Sequence, residues 1–260
     1  MIVRCSGELF EEPIEHTACL ACSIENRHRP PCGFSYPVLK AIFASQGESR
    51  PDVHVSDVLG CLRKAYWEKK EPEAKYVHEM LILWIGISVH KSLEEAMQGE
   101  EGWRTEVPVA NQGIVGRIDA ITPNGDIIDF KTIRWMRPKN LPYGYHREQV
   151  QIYQNIEGLD GELFIQYVDV SGPTRCRNCH VAMRLIDGEV TCPSCGYISN
   201  DGHLGGLVKR VLQKDRSDET GLRTILLEQA LDQNTIPDAE PGWGCRYCQF
   251  INRCPEGQEA

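Results

Sequence analysis

Long hydrophobic runs are missing from this chain of 260 residues. The longest, at residues 80–89, has about half of the ~20 apolar residues that a transmembrane helix needs. Residues 1–16 carry acids where the apolar core of a secretory signal would lie. We therefore expect a soluble, cytoplasmic protein that has no membrane partner.

Positive charge is also scarce. The chain has 28 Lys and Arg against 37 Asp and Glu, so its net charge of −9 does not attract nucleic acid to the surface as a whole. A nucleic-acid partner therefore requires a local basic segment, and residues 131–147 provide one that has no acid. This basic segment contains Lys131, Arg134, Arg137, Lys139 and Arg147, interleaved with Trp135, Tyr143 and Tyr145. Such a composition is typical of phosphate contact and base stacking, and a solvated loop is the alternative.

Internal repeats and low-complexity tracts are absent, and 41% of the residues are hydrophobic. A chain of this size and composition can bury a core as one large domain with small appendages. A His-x-Glu pair ahead of Pro-Cys-x2-Cys, the signature of zinc deaminases, is also absent. That absence disfavours a deaminase.

Cysteine, in contrast, is abundant. Twelve cysteines in a chain expected in the cytoplasm favour metal binding over disulfides, because that compartment keeps thiols reduced. Their spacing separates them into three groups of four. The groups are Cys5, Cys19, Cys22 and Cys32 near the start, Cys176, Cys179, Cys192 and Cys195 in the middle, and a split set of Cys61, Cys245, Cys248 and Cys254.

The middle group predicts a zinc ribbon. Its two Cys-x2-Cys pairs are separated by twelve residues, and Gly196 follows the last cysteine. The ribbon occupies residues 174–197 and lies between two predicted strands, so we interpret it as an insertion. Its arginines can contact DNA or a partner protein; they are Arg175, Arg177 and Arg184.

The other two groups predict further metal sites. In the first group, one zinc ion would be shared by Cys19, Cys22, Cys32 and a fourth ligand that is Cys5, His16 or His28. The grouping in fours favours Cys5, and free thiols in a flexible arm are the alternative. The split set fits an iron–sulfur cluster that joins two ends of a domain, with a four-thiolate zinc site as the structural alternative.

Hydrophobic periodicity predicts an alternation of helices and strands. We expect a helix over residues 56–70 with Ser56 as its N-cap, and a long, mostly buried helix over 74–98. The other predicted helices cover residues 37–45, 146–157 and 218–233, and the predicted strands cover 103–110, 113–122, 126–133, 162–171 and 206–213.

A predicted hairpin brings three charged side chains together. Pro-Asn-Gly at residues 123–125 fits a three-residue loop with glycine in the left-handed conformation. This loop places Asp119 opposite Asp129, with Lys131 on the same face, whereas a two-residue turn would separate the carboxylates. Buried carboxylates are costly unless they are paired or bound to metal. The pattern indicates a metal site, and a structural salt bridge is the alternative.

These motifs resemble those of known nucleases. Gly-x-x-Asp at residues 116–119 and Asp-x-Lys at 129–131 are similar to the signature of the PD-(D/E)xK nuclease superfamily. Two motifs on predicted helices resemble its RecB-like branch, namely Gly86-x3-His90 and Gln149-x3-Tyr153. Cys61-x-Arg63-x2-Tyr66 and the C-terminal Cys-x2-Cys-x5-Cys are similar to the CRISPR-associated Cas-four exonucleases, and AddB-type helicase–nucleases have a similar layout.

The resemblance implies an α/β fold. It would be a PD-(D/E)xK restriction-endonuclease-like mixed sheet flanked by helices, with an inserted zinc ribbon and an N-terminal metal-binding arm. The implied domains are an arm and helix at residues 1–45, a nuclease domain at 46–173 and 198–260, and the ribbon at 174–197.

The resemblance also implies a role for each site residue. The groups that would bind Mn²⁺ or Mg²⁺ are His90, Asp119, Asp129 and the carbonyl of Phe130. Lys131 would position or activate the attacking water and stabilise charge on the phosphate. Gln149 and Tyr153 would orient the DNA strand or Lys131. For the split cysteines, the resemblance favours a structural [4Fe–4S] cluster over [2Fe–2S] or zinc.

The implied activity is that of a metal-dependent DNA exonuclease acting on single-stranded or overhanging DNA. Its implied context is prespacer processing beside a CRISPR integrase. A stand-alone RecB-like recombination or phage nuclease is one alternative. A catalytically quiet DNA-binding adaptor is another, and the intact set of Asp119, Asp129 and Lys131 argues against it.

Overall fold

The computed structural model describes residues 1–5, 12–27, 32–47, 51–200 and 202–259. Contacts divide the chain into two compact units. The first unit, called here the cysteine unit, consists of residues 1–51, 61–92 and 227–260. The second, called the sheet unit, consists of residues 52–60 and 93–226.

Strands and helices alternate along the described residues. The strands are β1 (Ile2–Arg4), β2 (Ile14–Glu15), β3 (Val53–His54), β4 (Lys75–Tyr76), β5 (Arg104–Asn111), β6 (Ile114–Ile121), β7 (Ile127–Ile133), β8 (Leu163–Asp169), β9 (Arg184–Ile186), β10 (Glu189–Thr191) and β11 (Gly206–Val211). The helices are α1 (His16–Glu25), α2 (Tyr36–Ala44), α3 (Val55–Val58), α4 (Leu62–Lys70), α5 (Val77–Met97), α6 (Gly144–Glu157), α7 (Ser217–Gln233) and α8 (Pro255–Gln258). Short 3₁₀ turns cover Pro138–Asn140, Trp243–Tyr247 and Ile251–Arg253. Within the described ranges, none of the helices combines the length and apolar character that a membrane span requires.

The sheet unit is built on six strands in the order β11-β8-β7-β6-β3, with β5 also paired to β6. The β7–β8 pair is parallel, whereas β6–β7, β5–β6 and β8–β11 are antiparallel, so the sheet is mixed. In β8 every second residue is buried, as expected of a strand with one face against a core. Helix α6 packs against four of these strands. The predicted α/β fold with a mixed sheet flanked by helices is therefore confirmed.

The hairpin between β6 and β7 has the predicted three-residue loop. The Thr122 amide donates to the Asp126 carbonyl at 2.9 Å, and Gly125 has φ +84°. Glycine suits this left-handed position because it has no Cβ to clash. The described pairs, Ala120–Ile128 and Ile121–Ile127, are in the predicted register, and Asp119 and Asp129 are the next residues on the two strands.

The helix predicted over residues 56–70 is wrong as a single element. It divides into α3 and α4, and the His54 amide donates to the Asp57 carboxylate at 2.8 Å, so His54 rather than Ser56 is the N-cap. Helix α3 ends because Arg223 donates hydrogen bonds to backbone carbonyls that would otherwise accept the next helical hydrogen bonds. Its guanidinium donates to the Val58 carbonyl at 2.6 Å and also to the Gly60 carbonyl.

The cysteine unit has its own core. Strands β2, β1 and β4 form a small sheet, and the buried side chains beside it are Val3, Cys19, Leu39, Ile42, Phe43, Val77 and Met80. Helix α5 was expected to be mostly buried, and this expectation is wrong. The apolar residues of α5 lie on all sides of the helix, but only one side packs against a core. Leu83 and Ile87 are therefore exposed.

The sheet predicts a sharp contrast between two isoleucines. Ile165 on β8 is fully buried, so we expect Ile165→Ala to lower the free energy of unfolding by about 2–5 kcal/mol. Ile225 on α7 is half exposed, and Ile225→Ala should change it by no more than about 0.5 kcal/mol. Urea unfolding followed by circular dichroism measures both values, and equal losses would contradict the described packing.

Candidate active site and metal centres

Two aspartates meet across β6 and β7 in the sheet unit. The Asp119 Oδ2 atom accepts the Phe130 backbone N–H at 2.7 Å, and Phe130 lies between Asp129 and Lys131 in sequence. The Asp129 residue is only 2% exposed. The described ladder between the strands ends at Ala120–Ile128, where the Asp119 side chain binds the backbone of β7 instead. The hairpin thus holds two carboxylates at one place in the sheet.

Lys131 supplies the positive charge beside them. Its Nζ atom lies 3.0 Å from Oδ1 and 2.9 Å from Oδ2 of Asp129. Burial lowers the pKa of Lys131, but the charges of Asp129 and Asp119 outweigh it, so the pKa lies above the usual 10.5. Lys131 is therefore an ammonium group at neutral pH. It offsets part of the cost of the buried carboxylate.

Helix α6 adds the predicted Gln149–Tyr153 pair. The two residues are one turn apart, and Gln149 Nε2 donates to the Tyr153 hydroxyl at 2.9 Å. Burial, together with the charge of Asp129, raises the pKa of Tyr153, against the opposing effects of Gln149 and Lys131. The neutral phenol is thus close enough to the site to sense both charges. The glycine of the Gly-x-x-Asp motif makes room for it, since a Cβ on Gly116 would lie 2.6 Å from Tyr153 Cε1.

Sequence reasoning missed one residue on this helix. His146 is buried, and its Nδ1 atom lies 2.8 Å from the Tyr167 hydroxyl. Burial, with a smaller effect of Lys131, lowers the pKa of His146 to about 3, so the ring is neutral. Its spacing of three residues from Gln149 and seven from Tyr153 puts all three on one helical face. This helical spacing from Gln149 and Tyr153 is the sequence signal from which His146 could have been predicted.

Two further residues, Phe130 and His90, were predicted as metal ligands. The Phe130 backbone N–H binds Asp119, while a role for its carbonyl in metal binding stays a prediction. His90 lies on α5 within the cysteine unit, whereas Asp119 and Asp129 belong to the sheet unit. Its role as a metal ligand also stays a prediction.

Comparison with known proteins identifies the family. The model of the PD-(D/E)XK nuclease superfamily matches residues 38–255, which is most of the chain. The chain belongs to the PD-(D/E)XK nuclease superfamily. No curated protein matches this nuclease in sequence. Members of the superfamily use divalent metals, and the paired carboxylates of Asp119 and Asp129 are the hard oxygen ligands that such ions prefer.

One solved structure agrees with this assignment of the fold. The crystal structure of SSO0001 is similar with a TM-score of 0.52 and 19% identity, and the match covers 84% of this nuclease and 94% of that chain. A phage-related exonuclease from Haemophilus somnus 129PT is also similar, with a TM-score of 0.41, 15% identity, and coverage of 70% and 94%. At 19% identity the similarity to SSO0001 concerns the fold alone.

The ribbon of this nuclease is a compact four-sulfur site. It contains the β9–β10 hairpin, and its sulfur atoms all lie within 4.8 Å of one another: Cys176, Cys179, Cys192 and Cys195. The Cys176 and Cys195 sulfurs are 3.7 Å apart. Tetrahedral zinc with bonds of about 2.3 Å to sulfur separates its thiolates by about 3.8 Å. The four cysteines can therefore hold one metal ion, as predicted.

The split cysteines converge within the cysteine unit. Burial raises the pKa of Cys248, and the charges of Cys61 and Cys245 raise it further. A Cβ on Gly257 would lie 3.4 Å from the Cys254 sulfur and 3.6 Å from the Cys245 sulfur. Among the described cysteines, the ribbon is the group whose four sulfurs lie within 4.8 Å of one another. Because glycine has no Cβ, the Cys254 and Cys245 sulfurs can lie against the backbone at Gly257.

An arginine and a tryptophan support this convergence. Arg63 donates to the Cys254 sulfur at 3.7 Å and to the Glu256 carboxylate at 2.8 Å. The Trp67 ring lies 5.4 Å from the Phe250 ring, and the Arg253 guanidinium lies 5.1 Å from the centre of Trp67. The C-terminal turns are therefore fixed to α4 by charged and aromatic contacts.

The N-terminal cysteines also face one another. Burial and the charges of Cys32, Cys5 and Cys22 together raise the pKa of Cys19 to about 11. Of the three fourth-ligand candidates, Cys5 lies close enough to Cys19 for its charge to raise the pKa of that thiol. His16 instead contacts the Met1 carbonyl at 3.2 Å and packs edge-on against Phe43. His28 lies outside the described residues.

The buried His146 predicts a pH dependence of stability. Its folded pKa of about 3 is below the usual 6.5, so the unfolded chain binds a proton that the folded chain does not. Stability is therefore fully present above pH 6.5 and falls as the pH decreases toward 3. Between about pH 7.5 and 5 we expect His146 to account for a loss of about 2 kcal/mol.

Urea unfolding of the wild type and of His146→Gln at both pH values measures this loss. Glutamine retains hydrogen-bonding capacity but does not titrate, so the variant should lack that part of the pH dependence. An equal decrease in the free energy of unfolding between the two pH values for both proteins would contradict a neutral, buried His146.

Proposed function

We propose that this nuclease hydrolyses DNA with Mn²⁺ or Mg²⁺ and trims single-stranded or overhanging ends, as Cas-four exonucleases do. The observation that carries the proposal is the set of Asp119, Asp129 and Lys131, which the hairpin brings together in the sheet. A purely structural salt bridge needs one acid for one base. Here a second carboxylate faces the pair, and a tyrosine and a glutamine lie beside it.

Each residue then has a defined task. The metal would be held by Asp119 and Asp129, with His90 and the Phe130 carbonyl as further ligands. When bound, such an ion lowers the pKa of a coordinated water and stabilises charge on a phosphate oxygen. Lys131 donates its N–H groups to the phosphate where negative charge develops. The Gln149–Tyr153 pair limits the movement of Lys131 and of the DNA strand beside it.

The three cysteine groups have supporting roles in this proposal. The split set, Cys61, Cys245, Cys248 and Cys254, would bind a [4Fe–4S] cluster, since its Cys-x2-Cys-x5-Cys segment with one distant cysteine resembles the pattern of the Cas-four exonucleases. The ribbon would bind zinc, and so would Cys19, Cys22 and Cys32 with Cys5. All three sites restrain segments that are distant in sequence.

Two contexts are compatible with the same chemistry. In one, the enzyme processes prespacers beside a CRISPR integrase, which the cysteine pattern favours. In the other, it is a stand-alone RecB-like recombination or phage nuclease. A DNA-binding adaptor without activity is the alternative from another class. Retention of both aspartates and Lys131 at one place in the sheet favours an enzyme.

Substitutions in the charged set should remove activity. We expect Asp129→Asn and Lys131→Met each to lower cleavage by at least about 100-fold, because each removes a charge that acts on the reacting phosphate. The assay is anaerobic digestion of end-labelled single-stranded DNA with Mn²⁺. Asp232→Asn and Lys214→Met are matched controls on exposed residues and should retain full activity. Full activity of Lys131→Met with intact metal content would reject the assigned site.

The metals can be tested without DNA. We expect anaerobically purified protein to contain iron and sulfide with visible thiolate-to-iron absorption. Cys248→Ser should lose the iron and keep the ribbon zinc, whereas Cys195→Ser should lose that zinc and keep the iron. A colourless protein that contains zinc alone would reject the iron–sulfur cluster.

A further inference from the structure

Trp135 stands out on the surface of the sheet unit. It follows β7 in the basic segment, and 61% of its surface is exposed. Its backbone has φ +55°, a conformation that bulky residues seldom adopt. Such a conformation persists where neighbouring contacts impose it. Contacts from other residues therefore hold the Trp135 backbone in the conformation that exposes its indole.

Asp169, at the end of β8, is the residue that holds it. Its carboxylate is buried and accepts the Met136 N–H at 2.6 Å and the Trp135 N–H at 3.3 Å. Ser171 assists, since its Oγ atom accepts the same Trp135 N–H at 3.2 Å and donates to Asp169. Met136 itself is fully buried. The Asp169 carboxylate thus fixes the backbone of Trp135 and Met136, and with it the position of the indole.

The same carboxylate connects this loop to the base of the ribbon. The His203 Nδ1 atom lies 3.1 Å from Asp169 Oδ2. His203 exchanges two hydrogen bonds with Thr174, one from the His203 N–H to the Thr174 hydroxyl and one from the Thr174 N–H to the His203 carbonyl, each 2.9 Å long. Thr174 is the first residue of the predicted ribbon, and His203 lies six residues beyond its end. The start of the ribbon is therefore connected through His203 to the group that holds Trp135.

The three aromatic residues of the basic segment are not equivalent. Tyr143 and Tyr145 stack on each other with ring centres 5.9 Å apart, and both pack edge-on against His146. Trp135 has the Arg134 guanidinium over one face, 4.7 Å from the ring centre. Its large exposed area leaves room for a second planar group. Arg134 and its neighbours supply positive charge for the adjoining phosphates.

We propose that Trp135 stacks on an unpaired base of a single-stranded DNA end and that Asp169 is the positioning residue that fixes it. The inference rests on the proposed function, which makes DNA the substrate. A base within a duplex has both faces covered by its neighbours. A base in a single strand can stack on an aromatic ring, whatever the sequence around it. Trp135 thus favours single strands over duplexes.

Binding of end-labelled oligonucleotides, measured by fluorescence anisotropy with no added divalent ion, tests the stacking. We expect Trp135→Ala to bind single-stranded dT oligonucleotides about tenfold more weakly, with little change for a duplex. Trp135→Phe should recover most of the loss. The matched control, Tyr76→Ala, removes an exposed aromatic residue of the cysteine unit and should bind as the wild type does.

An abasic scan makes the test specific for a base. Removing one base at a single position of the oligonucleotide should weaken wild-type binding and leave Trp135→Ala unaffected at that position. Asp169→Asn should reproduce the single-strand defect, and adding Trp135→Ala to it should cause no further loss. A merely structural role of Asp169 would weaken single strands and duplexes equally and add to the effect of Trp135→Ala.

The outcomes separate this inference from the nuclease assignment. Equal abasic penalties for the wild type and Trp135→Ala, or unchanged single-strand affinity of Trp135→Ala, would overturn the stacking role even in an active nuclease. An abasic signature in a protein that never cleaves DNA with Mn²⁺ would overturn the proposed activity and retain the stacking role.

Discussion

The burial of the Asp129 carboxylate is the constraint on which the site depends. A charge taken out of water has to be compensated nearby, and here the compensation comes from the Lys131 ammonium group on the same strand. The second carboxylate, Asp119, can lie close because it accepts the Phe130 N–H. The sheet therefore determines which charged groups lie together. Helix α6 adds Tyr153 and His146, which are neutral and so leave the net charge of the site unchanged.

Cysteine is concentrated at a few places in the fold. In the cysteine unit, short strands and turns gather thiols from residues 5–32 and from the distant positions 61 and 245–254. In the ribbon, one small hairpin has four sulfurs around a single centre. The ribbon takes its four cysteines from one short segment, whereas the split set takes its cysteines from two segments that are distant in sequence.

Much of this arrangement could be predicted from the sequence, because its signals are local. The Pro-Asn-Gly loop determines the hairpin register, and Cys-x2-Cys spacing determines the ribbon. The break between α3 and α4 could not be predicted, since it depends on Arg223, far along the chain. Asp169 was missed for a similar reason: it occupies an inward position of β8, but its partners come from two loops. The family membership is established, whereas the metal ligands and domain boundaries stay predictions.

The discontinuity of the cysteine unit has a consequence for the order of folding. Domains tend to fold as they are synthesised, starting from the N-terminal side. The sheet unit can form as soon as residue 226 has been made, with the nuclease hairpin already assembled. The cysteine unit requires residues 245–254, so Cys61 is made long before the three cysteines that it lies near. Any metal that the split set binds is therefore acquired after the hairpin of Asp119 and Asp129 has been synthesised.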